Sequence, residues 1–108
     1  MIKTKKRYKN DMVILCKDKP NSYKKRMEVI DEHRKYLSTK PIKTLLSGQL
    51  TDISGIKMNG SFFMVEASSE DEIKKFQVND PIYKAGIWSE ITISPFNKRV
   101  DNLSPIIK

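Results

Sequence analysis

His33 is the only histidine in this chain of 108 residues, and a lone imidazole is the side chain best suited to proton transfer near neutral pH. Farther along, Asp80 stands before Pro81, where a helix is expected to end. An Asp80 carboxylate bonded to one ring nitrogen would fix the tautomer of His33 and favour the imidazolium that forms. We therefore predict a catalytic pair of His33 and Asp80. The alternative is a half-buried structural histidine and a helix-ending aspartate.

Other residues could bind a substrate beside this pair. Arg26 is predicted one to two helical turns before His33 on the same flank, where its guanidinium could hold a carboxylate through two parallel hydrogen bonds. Gly48 is predicted to lie in a strand that a backbone or a ligand can approach closely. Three aromatic side chains could wall an apolar cleft: Phe63, Tyr83 and Trp88. The alternatives are an ion pair between Arg26 and a nearby acidic residue, and aromatic residues that belong to the core.

The apolar pattern predicts the order strand, helix, strand, strand, helix, strand. The predicted strands cover residues 11–17, 43–51, 61–67 and 87–95. The first helix runs from its capping residue Ser22 to about residue 37, and His33 lies at the border of its inward sector. Four apolar side chains form that sector: Tyr23, Met27, Ile30 and Leu37.

The second helix begins after Ser68 or Ser69, and its acidic first turn, residues 70–72, suits a helix N-terminus. We expect Gly55 and Gly60 to bracket a loop before the third strand. After Pro81, a short turn or loose helix leads into the last strand.

This order predicts an α+β protein with a ferredoxin-like βαββαβ fold, in which two helices cover one face of an antiparallel four-stranded sheet. The first and third strands are central and apolar at consecutive positions, so the other face of the sheet also needs a cover. A second subunit packed sheet to sheet would supply it, and we therefore predict a homodimer. The alternative is a wrap by the short C-terminal segment, residues 98–108.

The chain carries a formal charge of +8, of which the first ten residues supply five positive charges and no negative charge. We expect a basic N-terminal tail (residues 1–10), one domain (residues 11–100) and a C-terminal tail (residues 101–108). A solvated tail explains this charge better than nucleic-acid contact, because no platform of stacked aromatic and arginine side chains accompanies it. Nucleic acid is therefore not a predicted partner.

The longest apolar run is Met12 to Cys16, which is too short for a membrane helix or a signal-peptide core. We expect a cytoplasmic protein in which the single cysteine, Cys16, is a small buried hydrophobe. One histidine and one cysteine exclude a His-rich zinc site, and the chain has no Gly-rich phosphate loop. No metal and no cofactor is predicted.

Several short motifs, in one order and at compatible spacing, resemble the YciI-related (YCII) proteins over residues 12–100. They are Asp18-Lys19-Pro20-Asn21-Ser22, Lys25-Arg26, His33, Tyr36-Leu37, Gly48-Gln49-Leu50, Val65-Glu66-Ala67, Asp80-Pro81, Lys84-Ala85-Gly86 and Pro95-Phe96. The resemblance implies a ferredoxin-like domain that forms a dimeric α/β barrel. It also implies an active-site His and Asp pair, carried here by His33 and Asp80.

Related proteins include chloromuconolactone dehalogenases, so the resemblance implies proton abstraction with halide elimination from a small cyclic acid. The chain departs from the family at Gln49, where relatives usually have proline, and at Ile82, where they have tyrosine; Tyr83 follows one place later. We predict a small-molecule enzyme of lyase or hydrolase type that uses the His33 and Asp80 pair. The competing hypothesis is a non-catalytic ligand-binding or accessory module.

Overall fold

The computed structural model describes residues 10–103, so most of the predicted basic tail and residues 104–108 lie outside the described residues. Its elements follow one another as β1 (Asn10–Asp18), α1 (Tyr23–Ser38), β2 (Lys43–Thr51), β3 (Met58–Ala67), α2 (Glu70–Val78), α3 (Pro81–Lys84) and β4 (Trp88–Pro95). The four strands form one antiparallel sheet in the order β2-β3-β1-β4. The ferredoxin-like α+β fold predicted from the sequence is confirmed, including the central position of β1 and β3.

Residues on one face of the sheet form the core under the helices. On β1, Ile14 and Cys16 are fully buried, and their β3 partners in register are Phe63 and Ser61. Phe63 is the aromatic centre of this core, with its ring 5.3 Å from that of Phe76. Burial of such apolar surface stabilises the fold by roughly 25 cal/mol per Å². The helix-side face of the sheet is therefore a packed floor on which α1 and α2 rest.

Side-chain caps fix where α2 and α3 begin. Ser69 Oγ accepts a hydrogen bond from the Glu72 N–H at 3.2 Å. Asp80 Oδ1 accepts one from the Ile82 N–H at 2.9 Å, and Pro81 occupies the first helical position, where its missing N–H costs nothing. By contrast, Ser22 precedes α1 as predicted but makes no side-chain cap bond. The cap of α3 matters most, because it holds the Asp80 carboxylate in place.

The inward face of α1 differs from the apolar sector predicted for it. Met27 is 38% exposed, whereas Arg26, Ile30 and His33 are the buried residues of the helix. The apolar pattern includes Met27 in the inward face, whereas the buried face is turned toward the flank that carries Arg26 and His33. The burial of Arg26 depends on partners elsewhere in the fold.

The predicted loop between β2 and β3 is shorter than expected, since β3 begins at Met58 and includes Gly60. A Cβ atom at Gly60 would lie 2.5 Å from the carbonyl oxygen of Cys16. Gly60 is therefore required for the close approach of β1 and β3.

The opposite face of the sheet, the bare face, keeps apolar side chains half exposed. Leu15 and Leu46 are each 44% exposed, and the chain after β4 lies beside one end of this face, where a cavity of about 420 Å³ separates it from Leu46 and Met64. Within residues 10–103, no helix is long and apolar enough to cross a membrane.

Candidate functional site

His33 and Asp80 meet in the interior, although 47 positions separate them along the chain. His33 projects from the buried side of α1, and Asp80 lies at the junction of α2 and α3. The Nδ1–H group of His33 donates to Asp80 Oδ1 at 2.8 Å and Oδ2 at 3.0 Å. The side chains are 6% and 1% exposed, respectively. The structure thus brings together the two residues that the sequence predicts as a catalytic pair.

This contact determines the tautomer of a neutral His33. An ionised carboxylate can only accept, so Nδ1 carries the proton and Nε2 keeps its lone pair. Among the described residues, no side chain or backbone group forms a hydrogen bond with Nε2. A ring held in this way can accept a proton at Nε2 while Asp80 stabilises the imidazolium.

A cavity of about 130 Å³ lies against His33, between α1 and the edge strand β2. Its lining residues are His33, Arg34, Leu37, Ser47, Gly48, Gln49 and Phe63. Gly48 contributes only backbone, and a Cβ atom built on it meets nothing within 4 Å. Gly48 therefore lines the cavity through its backbone alone, and its role beside a ligand stays a prediction.

Arg26 forms a second buried pair, separate from this cavity. Its Nε donates to Asp18 Oδ2 at 2.7 Å, and its Nη2 donates to Asp18 Oδ1 at 3.1 Å and to Ser61 Oγ at 2.8 Å. Arg26 is fully buried, and its Nη1 has no protein partner within the described chain. The geometry matches the alternative interpretation, an ion pair with a nearby acidic residue, and places Arg26 away from the residues that line the His33 cavity.

Two of the predicted aromatic residues also lie outside the cavity. Tyr83, 42% exposed, and Trp88, 9% exposed, line a different depression at the start of β4. Phe63 does line the cavity, and its ring meets the His33 ring edge to face at 6.5 Å. The structure therefore gathers His33, Asp80, Gly48 and Phe63, and separates them from Tyr83, Trp88 and Arg26.

Cys16 lies fully buried close to both pairs. Burial raises the pKa of its thiol to about 12; the Asp80 and Asp18 charges raise that pKa further, and only Arg26 acts in the opposite direction. Burial and the Asp80 charge likewise raise the pKa of Tyr36, whose hydroxyl donates to the Phe76 carbonyl at 2.7 Å. Neither group is ionised near neutral pH, and neither lines the cavity beside His33.

The sequence analysis missed the polar residues that line the cavity with His33. Ser47 pairs in register with Phe63, and Gln49 pairs with Ser61, so both occupy the helix-side face of β2. Arg34 follows His33 directly on α1. The polar residues on either side of Gly48 were the sequence feature that could have indicated a polar cavity lining. Within residues 10–103, no three His, Cys, Asp or Glu side chains cluster as metal ligands would.

Comparison with known proteins agrees with this fold. The model of the YCII-related domain matches residues 11–97. The structure resembles 5-chloro-2-hydroxyhydroquinone dehydrochlorinase from Burkholderia phenoliruptrix AC1100, solved in complex with 2,5-dihydroxybenzoquinone. The two chains are 30% identical with a TM-score of 0.76, and the match covers 81% of this chain and 93% of that one.

A more distant likeness supports the fold alone. A protein assigned as an antibiotic biosynthesis monooxygenase, from Bacteroides thetaiotaomicron VPI-5482, is 10% identical with a TM-score of 0.54. The match covers 91% of this chain and 96% of that one. No curated protein matches the chain significantly.

Proposed function

The chain belongs to the YCII-related domain family, and we propose on that premise that it is a small-molecule enzyme in which His33 is the general base and Asp80 positions it. The proposal depends above all on the contact between His33 Nδ1 and Asp80, at 2.8 and 3.0 Å, beside a cavity. That contact leaves Nε2 as the ring nitrogen free to accept a proton. A positioned general base contributes typically about 10²- to 10⁴-fold to a rate.

The reaction that we propose is the elimination of a halide from a ring compound, as the name of the dehydrochlorinase relative suggests. His33 Nε2 accepts a proton from the ring, and the electrons of the broken bond form a new double bond. Chloride leaves with the electrons of the carbon–chlorine bond, so the net loss is one H⁺ and one Cl⁻. The proton then leaves His33 for water, which restores the neutral imidazole.

The cavity has room for one small ring, whose substituents would extend toward the polar residues at its open edge. Its volume is about 130 Å³, and an engineered cavity of about 150 Å³ in another protein holds benzene. Leu37 and Phe63 supply apolar contact on two sides. A larger or fused ring system would extend past the polar residues of β2 into solvent.

We further propose that the protein is a homodimer joined through the bare face of the sheet. Leu15 and Leu46 are each 44% exposed there, and Phe62 and Met64 lie on the same face. Half-exposed apolar side chains gathered on one face of a sheet are typical of a protein–protein interface. Light scattering of the full chain at micromolar concentration should give twice the chain mass, and Leu46→Asp should lower it to the mass of one chain.

Chloride release from 5-chloro-2-hydroxyhydroquinone tests the proposed activity. Wild type should release chloride, and His33→Asn should lower the rate by about 100-fold or more, because asparagine cannot accept the proton. Lys35→Asn, on the exposed side of the same helix, is the matched control and should keep the wild-type rate.

Binding is measured alongside turnover, by thermal shift with 2,5-dihydroxybenzoquinone. If His33→Asn binds this compound and lacks turnover, the general-base role is supported. Binding by both proteins with no turnover by either would instead support the non-catalytic ligand-binding module. An unchanged rate in His33→Asn would overturn the proposal.

A further inference from the structure

A cation lines the cavity next to the proposed base. Arg34 lines the same 130 Å³ cavity as His33, but its side chain is 56% exposed, whereas that of His33 is 6% exposed. The one acidic partner of Arg34 within residues 10–103 is Asp31, at 3.8 Å, and the Asp31 side chain is 95% exposed. Exposed pairs at such distances contribute little. The guanidinium is therefore available to a ligand.

Two polar side chains of β2 line the cavity as well. Ser47 and Gln49 both belong to the lining, and neither makes a side-chain hydrogen bond to any described residue. They occupy alternate positions of β2, so both lie on the helix-side face of the sheet. The cavity thus has a buried base, an apolar floor at Phe63 and an outer edge of unpaired polar groups. A ligand with oxygen atoms at its outer edge would meet hydrogen-bond donors there.

We propose that Arg34 selects substrates that carry an ionised oxygen, such as a phenolate or an enolate, and that Ser47 and Gln49 donate further hydrogen bonds to that oxygen edge. This inference rests on the proposed function, because it places the reacting atom of the ring against His33 Nε2. A guanidinium presents several N–H donors in one plane, which suits an oxyanion. The sequence analysis gives the substrate-holding role to Arg26, but Arg26 is already bonded to Asp18 and Ser61.

Binding of two similar rings tests the role of Arg34. The probes are 2,5-dihydroxybenzoquinone, whose acidic hydroxyl groups are ionised at neutral pH, and hydroquinone, which is neutral and is kept free of oxygen. Calorimetric titration of wild type and Arg34→Met should show at least about ten-fold weaker binding of the ionised probe to the variant. Hydroquinone should bind both proteins with affinities within about two-fold of each other.

Lys35→Met is the matched control, since it removes one positive charge from the next residue of α1 and Lys35 does not line the cavity. It should leave the affinity of both probes unchanged. If Lys35→Met lost as much affinity for the ionised probe as Arg34→Met, only the net charge of the helix would matter. That result would overturn the role of Arg34. Unchanged affinity in Arg34→Met, or no binding of either probe to wild type, would overturn it too.

Repeating the titrations in the His33→Asn background separates this inference from the proposed function. If Arg34→Met still lowers the affinity for the ionised probe ten-fold when His33 is asparagine, the binding role is supported even if no chloride is ever released. If chloride release depends on His33 while Arg34→Met binds both probes like wild type, the activity stands and the role of Arg34 fails.

Discussion

Helix α1 carries two buried basic side chains, each paired with a carboxylate, and the two pairs are built alike but suit different tasks. Arg26 pairs with Asp18 and His33 pairs with Asp80, with shortest contacts of 2.7 and 2.8 Å. Arg26 is permanently charged, has Ser61 as a further acceptor and lines none of the cavities described above. His33 is titratable and lines one. Burial and pairing are therefore insufficient to identify a catalytic group; a free proton-accepting atom beside a cavity is also needed.

The largest effect should come from breaking the Arg26 pair. Arg26→Ala leaves the Asp18 carboxylate buried without its partner, which should lower the free energy of unfolding by about 3–5 kcal/mol. Urea denaturation followed by circular dichroism measures this loss. Arg34→Ala, which removes an exposed arginine from the same helix, should cost less than about 1 kcal/mol. A similar loss in both variants would contradict a structural role specific to Arg26.

Asp80→Asn should distinguish the His33 pair from the Arg26 pair, because it should lower the rate of turnover more than the stability of the fold. The amide oxygen can still cap α3 at the Ile82 N–H, but the amide is uncharged and cannot stabilise the imidazolium. We expect chloride release to fall by about 100-fold or more, as when the carboxylate beside a catalytic histidine is neutralised elsewhere. Steady-state kinetics and a urea titration on the same protein check both halves of the prediction. A loss of stability as large as that of Arg26→Ala would make Asp80 primarily structural.

Cys16, which lies near both pairs, should be unreactive in the folded protein. Its pKa of about 12 leaves almost no thiolate at pH 8, so a thiol reagent should label it only after urea unfolds the chain. The folded-state pKa lies above the unfolded value of about 9, so the neutral thiol stabilises the fold fully below pH 9. That contribution is lost as the pH rises from 9 to 12.

Comparing Cys16→Ala with wild type isolates this pH effect. The difference in unfolding free energy between the two proteins should narrow above pH 9, because only wild type has the thiol to ionise. Rapid labelling of the folded wild-type protein at pH 8 would contradict the burial of this thiol.

The smallest effect should come from Gly48, the glycine at the cavity. Gly48→Ala adds a Cβ atom that meets nothing within 4 Å, on the face that Gly48 shares with its partner Phe62. We expect a change of less than about 1 kcal/mol in unfolding free energy. Gly60→Ala is the contrast, because its Cβ atom would lie 2.5 Å from the Cys16 carbonyl oxygen. Denaturation of the two variants should give clearly different midpoints.

The sequence predicted the fold well because apolar alternation and caps are local signals. The bounds of β2 are those predicted, and Ser69 caps α2 as one of the two serines expected. The sequence pattern did not predict the burial of Arg26, because that burial depends on hydrogen bonds to Asp18 and Ser61, which belong to other elements of the fold. The pattern also did not predict that Arg34 and Gln49 line the same cavity, because one lies on α1 and the other on β2. Long-range pairing of polar groups leaves no periodic pattern in the chain.

Asp80 Oδ1 accepts two hydrogen bonds, from the His33 ring and from the Ile82 amide at the start of a helix of four residues. Fraying of that short helix would release the carboxylate and leave the imidazole free to rotate. The exchange rate of a single amide proton, that of Ile82, should therefore report how often the contact between His33 and Asp80 opens. Nuclear magnetic resonance could follow this local opening in the resting protein, with no substrate added.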